Sequence, residues 1–447
     1  MDYDIIIIGS GPAGYIAAVR AGQLGMRAAL VEKGEIGGMC MHWGCVAVKA
    51  MMESARYFVR LRVAERFGIR GVRPEACVFD WSAAAARAAN IGQRLSSGVR
   101  ATLDKHKVDV LRGEAALVTP QSVRVDNRIV TAGTLVVATG SRPERRPLPV
   151  PEEMVLEIDA LWRLEALPTR LAVAGEGPNA LEIAQILRMV GKDVTLLVPG
   201  PTALPFFDPF FAQYAARLLE QHGIRVVNEA RVEGVAEGGL RVSGTVVPAD
   251  RLVNAHFRKA VLPPCEFPLD TRDGFLVTDD AYRTSQPTVY AVGDVNGRRM
   301  LAHAASAQGL HAVGRIAGVR EDAKENQVPL CVYTSPEMAQ VGQDEPRLQL
   351  AGVDYRVDEF PLTANAKALA EGNAEGVIRL LSSRLYGEVL GVQIVAPHAT
   401  DLISEAAAIL AMEGTLYDMV RIVHAHPTVS EVFMDVGFAA LDRAVRE

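Results

Sequence analysis

Two cysteines, Cys40 and Cys45, stand five residues apart in a stretch that also contains Gly37, Gly38 and Gly44. A helix-like run follows them. In a regular helix the Cα atoms of residues five apart are about 8 Å from each other, whereas a disulfide requires roughly 4.4–6.8 Å. A redox-active pair therefore needs an irregular backbone here, which the glycines permit. The alternative is a pair of reduced, buried cysteines at the start of a helix, and both interpretations remain open at this point.

Composition narrows the class of protein. The 447 residues suffice for two to four domains, and an apolar fraction of 49% with 22% charged residues is typical of an ordinary globular protein. A net charge of -6 gives no reason to expect nucleic acid or an anionic membrane as partner. The five cysteines form an odd count without zinc-type spacing. No apolar stretch is long enough to cross a membrane. We therefore expect a cytoplasmic protein without a metal site, in which a lone disulfide is catalytic.

The N-terminal segment contains a dinucleotide-binding pattern. An isoleucine run at residues 5–8 leads into Gly9, Gly11 and Gly14, then a helical pattern, then a second strand ending in Glu32 and Lys33. Such glycines let the backbone approach a diphosphate at a helix N-terminus, where free N–H groups favour anions. Glu32 would accept hydrogen bonds from the adenosine ribose. The alternative is a tight turn with a structural role only.

A second strand–turn–helix–strand pattern begins near residue 171. It carries Gly175 and Gly177, with Ala180 at the place of the third glycine. After its second strand come Pro199 and Gly200, so the acid that would bind a ribose hydroxyl is missing. The presence of two dinucleotide folds in one chain restricts the class of protein more than either fold alone. The second fold either binds a nicotinamide cofactor or has lost that ability.

The remaining segments complete the order of elements. Residues 50–105 are predicted to be mostly helical, a strand ends at Thr139 and Gly140, and residues 143–151 form a proline-rich linker. A buried strand ends at Asp294, and a helix begins near Ala302. From about residue 329 strands and helices alternate as in a separate α+β domain, which ends in the run from His424 to Glu431.

Taken together, these segments resemble the flavoprotein disulfide reductases over nearly the whole chain, and most closely the dihydrolipoamide dehydrogenase type. The redox motif of that family, GGxCxxxGCxPSK, is matched here by Gly37, Gly38, Cys40, Gly44, Cys45 and Lys49. The C-terminal run with His426 and Glu431 is similar to the lipoamide branch of the family rather than to the glutathione branch.

The resemblance implies an α/β fold with two Rossmann-like domains and a C-terminal α+β dimerisation domain. The implied organisation is an FAD-binding part at residues 1–145, an NAD(P)-binding-like domain at 146–269, a return segment of the FAD domain at 270–325 and the dimerisation domain at 326–447. It also implies tightly bound FAD, a homodimer, and NAD(H) as an uncertain second cofactor.

The family roles carry over residue by residue. Cys45 would be the thiolate beside the flavin and Cys40 the thiol that reacts with substrate. His426 matches the catalytic base, which serves the other subunit, and Glu431 matches its orienting carboxylate. Lys49 would lie by the flavin and pair with Glu182. The cofactor-binding set that the resemblance implies is Gly9, Gly11, Gly14, Glu32, Lys33, Lys49, Thr139, Gly140, Asp294 and Ala302 for FAD, and Gly175 and Gly177 for the nicotinamide.

Two places depart from the family pattern. The redox stretch carries Met39, Met41, His42 and Trp43 between or beside the cysteines, and Ala47-Val48 replaces the usual Pro-Ser. On the nicotinamide side, the AxGRxPN segment of the family has become residues 254–260, and its glycine is replaced by His256 or Phe257.

These departures leave three hypotheses. The first is electron transfer between a dithiol, which is expected to be a lipoyl group on a carrier protein, and NAD. The second is an enzyme that uses another redox partner or a non-lipoyl substrate because its nicotinamide site is eroded. The third is a flavoprotein scaffold without catalysis, which the retained site residues argue against.

Overall fold

The computed structural model describes residues 1–144, 148–256, 258–319 and 327–446, with side chains as far as residue 442. The chain forms two compact units, which are described separately below. The first comprises Met1–Leu171, Glu233–Gly239 and Ala249–Ala323, and the second comprises Ala172–Val232, Leu240–Pro248 and Lys324–Glu447. The predicted boundaries at residues 145/146 and 325/326 lie outside the described residues, and the predicted division into four parts stays a prediction.

Helices and strands alternate from the N-terminus. Up to residue 161 they are β1 (Tyr3–Ile8), α1 (Pro12–Gln23), β2 (Ala28–Glu32), α2 (Gly38–His42), α3 (Cys45–Leu61), α4 (Trp81–Lys105), β3 (Asp109–Arg112), β4 (Ala115–Thr119), β5 (Ser122–Val125), β6 (Arg128–Val137), β7 (Ser141–Pro143), β8 (Val155–Glu157) and α5 (Ile158–Leu161).

The middle of the chain begins with a second strand–helix–strand unit. Its elements are β9 (Arg170–Gly175), α6 (Pro178–Met189), β10 (Asp193–Leu197), α7 (Pro209–Gln221), β11 (Arg225–Val227), β12 (Val232–Ala236), β13 (Gly239–Val242), β14 (Thr245–Pro248), β15 (Arg251–Ala255), β16 (Arg258–Ala260), β17 (Thr271–Arg272), β18 (Phe275–Leu276), β19 (Val289–Ala291) and α8 (Ala302–Ile316).

The C-terminal part mixes strands and short helices. They are β20 (Leu330–Val332), β21 (Glu337–Gly342), α9 (Glu345–Leu350), β22 (Tyr355–Pro361), α10 (Ala366–Ala370), β23 (Val377–Ser383), β24 (Val389–Ala396), α11 (Ala399–Ala411), α12 (Leu416–Arg421) and α13 (Glu431–Arg446).

The first unit is built on a parallel sheet in the order β3-β2-β1-β6, with β19 beside β6. Alternation along β1 sends Ile5 and Ile7 to one face, where they pack with the small residues of α1, and Ile6 and Ile8 to the other. Helices α1 and α8 approach closely, because a Cβ on Gly309 would lie 2.5 Å from the Ala13 carbonyl oxygen. The carboxyl ends of β1, β2, β6 and β19 therefore meet at one edge, where ligands bind in folds of this kind.

In the second unit, β9, α6 and β10 form a strand–helix–strand motif, and β10 pairs with β11 in parallel. The antiparallel sheet β20-β21-β24-β23-β22 makes up the C-terminal part. Its strands share a core with α11 and α13, in which Ile394, Ile403 and Phe433 are buried. Both halves of this unit obtain their cores from the apolar faces of amphipathic elements.

Candidate active site

A cavity of about 250 Å³ opens at the carboxyl ends of the parallel strands in the first unit. It brings together residues that are far apart in the sequence. The predicted site residues that line it are Gly9, Gly11, Glu32, Lys33, Cys40, Cys45, Thr139, Gly140, Asp294 and Ala302. Gly14 does not line the cavity and packs instead against Gly9 and Ala138.

The glycine turn after β1 is shaped to admit a diphosphate. Gly9 has φ +101, in the region that favours glycine. A Cβ on Gly14 would lie 1.8 Å from the Gly9 carbonyl oxygen, so only glycine lets α1 lie this close to the turn. Gly11, by contrast, has no atom within 4 Å of the position that a Cβ would take. The turn therefore leaves open space at the N-terminus of α1, and this space fits an anionic group.

Glu32 holds a fixed position at the cavity wall. One carboxylate oxygen accepts hydrogen bonds from the Ser10 backbone N–H at 2.9 Å and from the Ser10 hydroxyl at 2.5 Å, and the other accepts from the Gly34 N–H at 2.7 Å. Lys33 lies at the rim in an exposed ion pair with Glu114 at 2.9 Å. A carboxylate anchored in this way is available to ribose hydroxyls without the loss of further side-chain freedom.

Charged groups stand at the other end of the cavity. The Asp294 carboxylate accepts a hydrogen bond from the Ser141 hydroxyl at 2.6 Å and forms an ion pair with Arg258 at 3.1 Å. Burial lowers the pKa of Arg258, and the Asp294 carboxylate opposes this shift. The Nε atom of Arg258 is buried without a hydrogen-bond partner among the described residues. A buried cation with an unused donor at the wall fits a polar or anionic ligand.

The two predicted redox cysteines meet at this end of the cavity. Cys40 lies on α2 and Cys45 is the first residue of α3, and both are free thiols that are half buried. Hydrogen bonding to the Cys45 sulfur, followed by burial, raises the pKa of Cys40, and the charges of Lys49 and Arg258 oppose this rise. The positive charges of Lys49 and Arg258 therefore favour negative charge on the cysteine pair.

The second glycine turn lies in the other unit. Gly175 has φ +153 and Gly177 has φ +82, and the Gly177 N–H donates to the Ala203 carbonyl at 2.7 Å. Ala180 is fully buried at the place of the third glycine. Glu182, on the same helix, is fully buried, and one of its carboxylate oxygens accepts a hydrogen bond from the Tyr333 N–H at 3.0 Å. The predicted pair between Lys49 and Glu182 stays a prediction.

The segment with the altered family motif is only partly described. The Asn254 side-chain amide donates to the Glu157 carboxylate at 3.1 Å, and its oxygen accepts a hydrogen bond from the His256 N–H at 3.3 Å. Phe257 lies outside the described residues. The next residue, Arg258, enters the cavity of the first unit.

The C-terminal histidines each contact a carboxylate. His426 Nδ1 lies 2.9 Å from Glu431, and the other Glu431 oxygen accepts a hydrogen bond from the Thr428 N–H at 2.9 Å. The Thr428 N–H, followed by His426, lowers the pKa of Glu431, so this carboxylate stays ionised. His424 Nε2 lies 2.7 Å from Glu405, and its side chain is only 4% exposed. The exposed histidine of the two is therefore His426, with 73% of its side chain exposed.

Ser10 and Arg258 also line the cavity, although neither is among the predicted site residues. Neither the hydrogen bond from Ser10 to Glu32 nor the ion pair from Arg258 to Asp294 has a local sequence signal. In the described ranges, no group of three or more His, Cys, Asp or Glu side chains is arranged to hold a metal ion. None of the described helices has the length and apolarity that a membrane crossing requires.

Comparisons with known proteins agree with this geometry. Residues 3–309 match the model of the pyridine nucleotide-disulphide oxidoreductases, and residues 328–436 match the dimerisation domain of these enzymes. The chain is 35% identical to a dihydrolipoyl dehydrogenase of Thermus scotoductus over 459 residues, covering 99% of this chain and 98% of that protein. It is 32% identical to the dihydrolipoyl dehydrogenase of Rhizobium etli over 480 residues, covering 99% of both.

Solved structures share the fold. LpdA from Mycobacterium tuberculosis has a TM-score of 0.89 at 25% identity, with 97% of this chain and 98% of that one covered. The HOCl-induced flavoprotein disulfide reductase RclA from Escherichia coli has a TM-score of 0.87 at 22% identity, covering 98% and 99%. At 22% identity, the similarity to RclA shows a shared fold and no more.

The chain belongs to the pyridine nucleotide-disulphide oxidoreductase family. Within it, the chain is an FAD-dependent dithiol–disulfide oxidoreductase, and its dimerisation domain supports a homodimer. The predicted α/β fold class and the resemblance to flavoprotein disulfide reductases are confirmed. The family uses FAD, with NAD as its pyridine nucleotide.

Proposed function

We propose that this enzyme transfers an electron pair between a lipoyl-type dithiol and NAD through Cys40, Cys45 and FAD. The observation that carries the proposal is the contact between the two thiols at the wall of the FAD-type cavity, where Lys49 and Arg258 favour negative charge. The lipoyl substrate is supported by relatives that are named dihydrolipoyl dehydrogenase over nearly the full chain.

FAD would lie along the cavity of the first unit. Gly9, Gly11 and Gly14 would admit its diphosphate, Glu32 would bind the adenosine ribose, and Lys33 would lie near the rim. The Asp294 carboxylate would bind the ribityl chain at the other end, beside Thr139, Gly140 and Ala302. Bound FAD supplies two-electron chemistry that links the cysteine pair to the nicotinamide.

The thiol chemistry would proceed by two thiol–disulfide exchanges. A substrate thiolate attacks the Cys40 sulfur of the oxidised enzyme, a substrate–Cys40 disulfide forms, and Cys45 leaves as a thiolate. The second substrate thiolate then attacks the substrate sulfur of that mixed disulfide and expels Cys40, which takes a proton. The substrate leaves as a cyclic disulfide, and its electron pair is left on the cysteines.

His426 would accept the other proton. Its ring is exposed in the single chain, and the ionised Glu431 at 2.9 Å orients it and stabilises its charged form. We propose that His426 of one subunit acts at the cysteines of the other subunit, so that the homodimer is the active form. Lys49 would lie by the flavin, with Glu182 as its counter-charge.

The diphosphate of NAD would bind at the second glycine turn, at Gly175 and Gly177. A second candidate function, with another redox partner or a non-lipoyl substrate, is favoured by Pro199 at the strand end and by His256 in the altered motif. A lipoyl-bearing carrier protein as donor and a cytoplasmic location stay predictions of the sequence.

Anaerobic titration of the holoenzyme separates these functions. Stoichiometric NADH should reduce the flavin rapidly, and dihydrolipoamide should reduce it as well. The matched variant Cys45→Ser should retain the flavin but lose its reduction by the dithiol. Reduction by the dithiol without reduction by NADH or NADPH would replace the first function by the second. Flavin that responds to neither NADH nor dihydrolipoamide would exclude the first function.

A further inference from the structure

The segment that joins the two cysteines carries bulky residues for which the family suggests no role. We name residues 37–45 the redox loop. Two carbonyl groups, one just before the loop and one within it, accept hydrogen bonds from aromatic side chains. The ring Nε2 of His42 donates to the Ile36 carbonyl at 2.9 Å, and the indole Nε1–H of Trp162 donates to the Trp43 carbonyl at 2.9 Å. The backbone near each end of the loop is thus held by a hydrogen bond from His42 or Trp162, neither of which is a conserved position of the redox motif quoted above.

Trp162 is itself held in place by Trp81. Their rings stack with centroids 5.5 Å apart and planes inclined by 26°. The Trp81 Nε1–H donates to the carbonyl of Leu161, the residue before Trp162, at 3.1 Å. Trp81 is buried at the start of α4. The stacked Trp81 and Trp162 therefore lie against the redox loop, and the indole that bonds to the loop has little freedom to move away.

Helix α4 also contacts the redox loop directly. A Cβ on Gly92 would lie 2.4 Å from the Met41 carbonyl oxygen, so the helix and the loop backbone touch. The Met41 side chain packs under Gly37, where a Cβ would lie 2.2 Å from its sulfur. The Trp43–Gly44 peptide is held at both of its polar groups, because the Gly44 N–H donates to the Met39 carbonyl at 2.8 Å and the Trp43 carbonyl accepts from Trp162.

That peptide leads straight into the turn that carries Cys45. Gly44 is the N-cap residue of α3, its carbonyl accepts from the Val48 N–H at 2.9 Å, and Cys45 is the first helical residue. A thiolate at a helix N-terminus is stabilised by the free N–H groups and the helix dipole, and the effect falls off within the first turn. The thiolate therefore depends on how this turn is oriented.

We infer that Trp162 is a positioning residue, which holds the first turn of α3 so that Cys45 is favoured as the thiolate. This inference rests on the proposed function, in which Cys45 is the thiolate beside the flavin. The other charged or titratable groups that face the pair are Cys40 on α2, Lys49 on α3, Tyr15 on α1 and Arg258 with its partner Asp294. Substitution of Trp162 leaves all of them unchanged.

The test uses the holoenzyme with Cys40→Ser, which leaves Cys45 as the one redox thiol. The pH midpoint of its thiolate–flavin charge-transfer absorbance is compared with that of the double variant Cys40→Ser/Trp162→Phe. Loss of one hydrogen bond at the first turn should raise the midpoint by roughly 0.5 to 1 pH unit. The pH dependence of Cys45 alkylation, which requires no turnover, should shift by the same amount.

Trp81→Phe in the same Cys40→Ser background is the matched control. It removes an indole N–H from the same cluster but keeps an aromatic ring against Trp162 and leaves the bond between Trp162 and the loop, so the midpoint should shift by less than half as much as in the Trp162 variant. If Trp162→Phe does not retain FAD, Trp162→Tyr fills more of the volume and takes its place.

Two results would overturn the inference. One is an unchanged midpoint in the Trp162 variant, and the other is an equal shift in the Trp81 and Trp162 variants, which would indicate general packing. If Cys40→Ser itself lacks the charge-transfer absorbance, the proposed contact between Cys45 and the flavin fails instead. The failure of the inference and that of the proposed function are thus distinguishable.

Discussion

The two dinucleotide folds of this chain begin alike and differ in where a carboxylate stands in the sequence. Each has a strand, a Gly-x-Gly-Pro turn and a helix whose first residue is that proline, Pro12 or Pro178. In the first fold the residue between the glycines is Ser10, and the acid, Glu32, ends the second strand. In the second fold the residue between the glycines is Glu176, and the second strand leads to Pro199.

Carboxylates occupy similar places in the two folds, although they come from different points in the sequence. An oxygen of Glu32 lies 3.4 Å from the place where a Cβ on Gly34 would be, and an oxygen of Glu176 lies 3.1 Å from the corresponding place on Gly200. Both carboxylates thus lie near a glycine just beyond the second strand. The second fold therefore has a carboxylate near its strand end, although Pro199 stands where the acid is expected.

The third position of the glycine motif is glycine in the first fold and alanine in the second because the backbone of the two turns differs. Gly14 cannot carry a Cβ because it would lie 1.8 Å from the Gly9 carbonyl oxygen. Ala180 carries one in the second fold, where Gly175 has φ +153 in place of the φ +101 of Gly9. The two turns are thus similar in sequence but differ in how closely the helix approaches the strand. Substitutions at matched positions should therefore have unequal effects.

The largest difference is expected from exchanging these third residues. Gly14→Ala should lower the flavin content of the purified protein by about tenfold or more, because a clash in a packed turn costs roughly 1–3 kcal/mol or more. The matched change Ala180→Gly should leave flavin content unaltered and cost about 1 kcal/mol of stability through helix propensity. Flavin absorbance per protein and the thermal midpoint measure both. Full flavin retention in Gly14→Ala would remove the assigned role of this glycine.

The next effect concerns Glu176. Glu176→Ala should weaken binding of the nicotinamide cofactor by about 10- to 100-fold, the loss expected if this carboxylate accepts a pair of hydrogen bonds from the ribose. Because NADH reduces the flavin, the dissociation constants are measured by titration of the oxidised holoenzyme with NAD⁺. Glu220→Ala, which removes the same charge from an exposed position on α7, is the control and should bind NAD⁺ normally. Equal or tighter binding in Glu176→Ala would show that Glu176 does not serve as the ribose acid.

The smallest effect is expected from the serine that corresponds to Glu176. Ser10→Ala removes the hydroxyl that donates to Glu32 at 2.5 Å. We expect FAD to dissociate about three- to tenfold faster, because the carboxylate loses one of its three anchoring hydrogen bonds. Ser97→Ala, at an exposed position on α4, should leave the rate unchanged. An unchanged rate in Ser10→Ala would mean that the two N–H groups hold Glu32 without the hydroxyl.

Much of the fold could be predicted because its signals are local. The glycine turns, the helix that starts at Ala302 and the α+β character after residue 329 follow from apolar periodicity and turn residues within short windows. Two details were less regular than the pattern indicated. The mostly helical stretch at residues 50–105 consists of α3 and α4 joined by residues 62–80, and the strand before Asp294 ends at Ala291, followed by a 3₁₀ turn at Gly293–Asn296.

By itself, the sequence determined the residue types of the site, the two dinucleotide folds and the family, since motifs and spacing express these directly. Tertiary structure alone decided that Ser141 and Arg258 share Asp294, that Glu176 lies near Gly200, and that Trp162 binds the carbonyl of Trp43. These pairs are separated by tens to more than a hundred residues, and periodicity carries no information about which distant side chains meet. The redox cysteines were visible in the sequence, whereas the tryptophans that support them became visible only when the chain was folded.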